Sequence, residues 1–205
     1  MTNEGENPQQ PNGEDIGNNE EPVEQDLGKA AEDEFTSKFL VSTEEEEEGF
    51  YRMRGELGGF EILMPKDAEL SDVMHQITDE SVENHSFAYD DIERKSTVIV
   101  NLLYQEGFSE KVKENYLSTY KQRIGFEGEY LETESDNIEF YTGYVENQYK
   151  DFSPDHIYLG YLFSRTSGRA LIVEYIVSCI EEECEISLNE EEERANKLMN
   201  SVDFK

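Results

Sequence analysis

The chain reads as an α+β protein: an antiparallel β-sheet flanked by helices, an α/β/α sandwich. Three observations carry that reading. From Gly49 onward, short runs of Tyr, Phe, Ile and Val alternate with polar residues at the period of a strand. One segment, after Ser109, instead places apolar residues at four-residue steps, and the last turns before Val202 do so again. The order of strands, one helix, more strands and a closing helix is that of an antiparallel sheet with helices on its faces.

Each element has its own warrant. In GFYRMRGELGGFEILMPKD, Phe50 to Arg54 and Phe60 to Met64 form a hairpin around Gly58-Gly59, and Pro65 ends its second strand. DAELSDVMHQITD is a short helical or irregular passage, and HSFAYDD a modest strand. Ser96 to Glu106, with Val98, Ile99, Val100, Leu102 and Leu103, is a continuous apolar run, expected as a central strand covered on both faces. Ser109 caps a helix whose inward stripe is Val112, Tyr116, Leu117, Tyr120 and Ile124, with Gly125 as terminator. Strands resume through Phe126, Tyr130, Ile138, Phe140 and Tyr144, then a hairpin turns at Thr166-Ser167-Gly168. The closing helix is capped by Ser187 or Asn189. Its early glutamates sit on the positive end of the helix, and it turns Ala195, Leu198, Met199 and Val202 inward.

Composition divides the chain in two. Residues 1–48 hold 16 of the 49 acidic residues and 2 of the 17 basic ones, hence −14 of the net −32. A segment so polar buries too little apolar surface to offset its backbone entropy, and is expected as a disordered acidic tether. Residues 49–205 are expected as one domain of ordinary size, with 12 Tyr and 9 of the chain's 11 Phe supplying bulk where Trp is absent. That domain is itself acidic, which argues against nucleic acid and against an anionic membrane surface as partners.

Local phrases in the chain resemble the PsbP-like superfamily, named for an extrinsic subunit of photosystem II and including a Ran-binding import factor and several Gram-positive lipoproteins of uncertain role. They are FEILMPKDAEL (Phe60 to Leu70), where an early strand ends in Pro-Lys-Asp, and the helix end NKLMNSVDF (Asn196 to Phe204). The chain departs from that pattern after Asp67, where Ala68-Glu69-Leu70 stands in place of an aromatic residue. The resemblance implies binding and assembly rather than a reaction, and it brings no catalytic residues.

Motifs for chemistry are missing from the text. His75, His85 and His156 fall in no zinc-hydrolase spacing, no nucleophile elbow occurs, and Gly58-Gly59 precede a strand rather than a phosphate-binding helix. No catalytic residue, cofactor or metal site is therefore assigned, although the glutamate runs could hold calcium weakly. Cys179 and Cys184 suit a short disulfide loop of an exported protein, or are two plain thiols. Tyr141, Tyr144, Tyr158 and Tyr161 could line one binding face, or merely stabilise cross-strand pairs. The expected role is a non-enzymatic, lipoprotein-type module on the outer face of the membrane, binding a protein or another envelope component. The alternatives are a ligand carrier or enzyme with a pocket assembled by the fold, and a cytoplasmic protein-binding domain.

Overall fold

The computed structural model describes residues 27–148, 153–181 and 184–205. The folded part begins well before Gly49. A short helix, α1 (Gly28–Glu32), leads into a single 3-10 turn at Thr36–Phe39. The Asp33 carboxylate accepts from the Thr36 backbone N–H and hydroxyl, each at 2.7 Å, and these bonds hold Asp33 below the usual carboxylate range. Ala30, Thr36 and Phe39 are buried, and the Thr36 hydroxyl in turn accepts the Leu70 N–H at 2.9 Å. The expected tether boundary at residue 48 is thus corrected: three inward anchors in 27–48 outweigh its acidic composition. Residues 1–26 lie outside the described part.

Strands β1 (Phe50–Arg54) and β2 (Phe60–Pro65) form the expected hairpin, with Phe50 opposite Pro65 and Arg54 opposite Glu61. Its turn needs both glycines. Gly58 sits at φ +69°, and a Cβ on Gly59 would fall 1.8 Å from the Tyr104 hydroxyl oxygen. The hairpin does not join the main sheet. It makes a separate three-stranded sheet with the last strand, β11 (Asp203–Phe204), which adds to the free edge of β2. The N-terminal helix also ends there, since the Ala30 N–H donates to the Lys66 carbonyl at 2.8 Å. Both described ends of the chain therefore close on one hairpin.

The main sheet is antiparallel. Its path begins with β3 (Glu69–Leu70) and then β5 (Val82–Asp91), which also pairs with β4 (Gln76–Thr78). The irregular passage is thus two short strands joined by a loop. From β5 the path runs to β6 (Ser96–Gln105), crosses to β10 (Ala170–Cys179), and returns through β9 (Asp155–Ser164), β8 (Ile138–Asn147) and β7 (Leu131–Glu134). The turn between β9 and β10 closes with the Ser164 N–H on the Arg169 carbonyl at 2.8 Å.

Helix α3 (Leu188–Asn200) turns Ala195, Leu198 and Met199 into a core built from Val98, Val100, Leu102, Leu171, Val173 and the small sheet. Helix α2 (Glu110–Arg123) packs Leu117 and Tyr120 on Tyr161, Phe163 and Ile172 of the other face. The expected inward stripe fails only at its first position: Val112 is exposed, and Lys113 is buried against Glu139 instead. Neither Ser109 nor Ser187 makes a side-chain capping bond, though each occupies the cap position. The class is α+β, as composed. The central strand is corrected, however. β6 buries every second residue and leaves Thr97, Ile99 and Asn101 half-covered, because α2 lies over the β8–β10 half of the sheet.

Candidate functional site

An antiparallel strand sends alternate residues to opposite faces. On β5 the core-facing set is Glu83, His85, Phe87 and Tyr89, the first two an acid and a base where the pattern calls for apolar side chains. Glu83 and His85 are both buried, and the His85 Nε2 meets the Glu83 carboxylate in a very short contact. The same carboxylate accepts the backbone N–H groups of Glu56, at 2.5 Å, and Leu57, at 3.1 Å, from the β1–β2 turn. Burial pushes Glu83 up, but the hydrogen bond and charge of His85, with the two backbone donors, outweigh it. Its pKa falls below the ordinary value.

The loop between β3 and β4 delivers His75 to the same place, its ring centroid 4.8 Å from that of His85. One ligand atom from each of His75, Glu83 and His85 lies within 4.8 Å of the others. Phe39 stands edge-on to both imidazoles, at 5.3 and 5.0 Å, and Phe35 and Phe60 complete an aromatic wall. The buried His75 Nε2 and His85 Nδ1 find no hydrogen-bond partner among the described residues. A Glu56 carboxylate oxygen is 3.2 Å from His75 Nε2, close enough for an ion pair but outside hydrogen-bond geometry. A cleft of about 550 Å³, lined by Phe35, Lys38, Phe39, Arg54, Glu56 and His75, opens onto this cluster.

The irregular passage read from sequence does hold His75, but half-buried in the loop between β3 and β4, and the strand read as starting at His85 begins at Val82 instead. Glu83-x-His85 could be read as one strand face, but His75 arrives through tertiary structure and carries no local signal.

A second polar group lies at the other end of β5. The Tyr175 hydroxyl donates to the buried Glu191 carboxylate at 2.8 Å, and Tyr89 lies 3.3 Å from Tyr175. Burial raises Glu191 above the usual carboxylate range, against the Tyr175 hydrogen bond and the charge of Arg94. Burial likewise pushes Tyr89 up to about 12. Arg194 bridges Asp91 at 3.0 Å and Glu191 at 3.4 Å beside a cavity of about 610 Å³.

The four tyrosines do not form one face. Tyr141 pairs with Tyr161 on the α2 side, and Tyr144 with Tyr158 on the α3 side, because a three-residue step along a strand reverses direction. Tyr158 and Tyr161 are buried, and Tyr158 is tied to the Leu188 carbonyl at 2.8 Å. Cys179 and Cys184 are joined as a disulfide, with Cα atoms 5.5 Å apart. Carboxylates of the glutamate runs meet cations singly: Glu46 with Arg52, Glu47 with Lys197, Glu190 with Arg94. Among the described residues no helix is long and apolar enough to cross a membrane.

Comparison with known proteins places this architecture. A protein described as "Putative lipoprotein YvcA" from Bacillus subtilis (strain 168) is similar at 28% identity over 187 residues, covering 85% of this chain and 76% of that protein. A family model carrying the same description matches residues 27–203, which begins where the described residues begin. The chain therefore belongs to the family described as "Putative lipoprotein YvcA".

Proposed function

We propose that the chain is the working domain of an exported, lipid-anchored protein of Gram-positive type, and that it binds or assembles with a cell-envelope protein rather than catalysing a reaction. Membership of a lipoprotein family over residues 27–203 carries the reading. The Cys179–Cys184 disulfide supports it, since such bonds persist in oxidising compartments. The fold that fits is the PsbP-like one, with α3 and the small sheet on one face of the main sheet and α2 on the other. The acidic residues 1–48 precede or enter the domain and would stand between it and an anchor.

The binding surface in this reading is the part of the main sheet that α2 leaves open. There Ala88 is exposed, and Thr97, Ile99 and Asn101 are half-buried across β5 and β6. Val73, strongly exposed at the rim, and Met74 beside it supply apolar contact.

The test expresses the gene with its natural upstream sequence and places a photo-crosslinking residue at Ile99 or Ala88, with Thr119 on the outer side of α2 as control. Expected are recovery in the membrane fraction, digestion by protease added to intact cells, and a discrete adduct from positions 88 and 99 only. Soluble protein with free thiols inside the cell overturns the export reading. Adducts that do not distinguish position 119 overturn the surface.

A further inference from the structure

We propose that His75 and His85, with Glu83 behind the His85 ring and Glu56 at the mouth of the cleft, form a binding site for one first-row divalent metal ion, zinc being the ion the donor set suits best. Four separate segments build this place: the 3-10 turn with Phe39, the β1–β2 turn with Glu56, the β3–β4 loop with His75, and β5 with Glu83 and His85. A Glu83–His85 pair alone would account for the burial of Glu83. It does not account for a second imidazole brought against the first, nor for two buried ring nitrogens that lack hydrogen-bond partners among the described residues. Burying such atoms without a hydrogen bond is costly, and a cation is what His75 Nε2 and His85 Nδ1 could share.

The chemistry of the donors narrows the ion. Two imidazoles with a carboxylate such as Glu56 suit zinc and its first-row neighbours. Calcium and magnesium ask for six or more oxygens, which this cluster does not offer. Glu83, itself oriented by two backbone N–H groups, contacts His85 Nε2 and is the outer carboxylate that steers an imidazole whose Nδ1 faces the ion. The wall of Phe35, Phe39 and Phe60 keeps the surroundings apolar. Ligand atoms around a tetrahedral ion with bonds of about 2.0–2.1 Å stand closer together than the 4.8 Å spanned here, so binding draws the His75 loop inward. The cations of the cleft do not compete for Glu83. Arg54 is engaged by Glu61 and Lys38 by Glu34.

The experiment uses the full chain, stripped with chelator and titrated with Zn²⁺ in an excess of Mg²⁺ that occupies the loose surface carboxylates. One Zn²⁺ per chain is expected. His75→Ala, on a loop and compatible with folding, is expected to weaken binding by roughly 100-fold or more, the upper range for disturbing even an outer-shell partner. X-ray absorption of the zinc-loaded wild type needs no variant and is expected to show imidazole scattering. An all-oxygen shell, no saturable uptake above Mg²⁺, or uptake that folded His75→Ala leaves unchanged each overturns the site. The result is independent of cellular location, so it stands or falls apart from the lipoprotein reading.

Discussion

Replacing Glu83 by alanine removes the acceptor that serves His85 and the N–H groups of Glu56 and Leu57 at once. Breaking a buried pair from one side leaves its partner uncompensated, so Glu83→Ala is expected to cost about 3–5 kcal/mol in urea unfolding. The pH dependence of Glu83 and Glu191 should run in opposite directions. Glu83 has a depressed folded pKa, so its contribution is complete above its unfolded value and is lost as pH falls through the folded one. Glu191 has a raised pKa: the folded state holds its proton, and a penalty grows as pH rises from the ordinary carboxylate range through the folded value. Glu191→Gln is therefore expected to be more stable than wild type at neutral pH and to lose that advantage in acid. Unfolding curves across that range check both signs, and an advantage for Glu191→Gln that grows in acid would contradict the assignment. Neither carboxylate is legible in sequence. In so acidic a chain, the two buried glutamates look like all the others, and only the strand register separates Glu83 from Glu80.

Among the elements, the segment before Gly49 was hardest to foresee. Five consecutive glutamates and a polar neighbourhood hid Phe39, yet this one ring contacts both imidazoles of the cluster. Phe39→Ala is expected to destabilise by about 3 kcal/mol, the lower end for a buried phenylalanine. A change at strongly exposed Val73 should stay within about 0.5 kcal/mol. If both cost the same, residues 27–48 are not integral to the domain. The disulfide closes a short loop, and the chain-entropy relation gives about 2 kcal/mol for it. Cys179→Ser with Cys184→Ser should lower the unfolding free energy by that amount, seen as a lower urea midpoint with little change in slope. Strands β6, β8, β9 and β10 and both longer helices were legible from apolar runs, strand alternation or helical spacing. The second sheet was not, since a two-residue strand such as β11 has no period to read.

For the molecule as a whole, 49 acidic residues against 17 basic ones leave repulsion that local pairing cannot remove. Arg94 already serves Asp91 and Glu190, and Arg194 serves Asp91 and Glu191. Added sodium chloride should screen the excess and raise the melting temperature by several degrees, about 2–4 °C for each kcal/mol in a chain of this size. A melting temperature that falls with salt would mean that these ion pairs outweigh the net repulsion. The α+β class was legible at this scale from the order of periods, whereas the division of strands between two sheets depends on long-range pairing. That division matters for load. The first and last described segments both fasten to the β1–β2 hairpin, at Lys66 and at Phe60-Glu61. A pull entering at residue 27 meets that clasp first, so mechanical tension would peel the small sheet while the broad sheet still holds its shape.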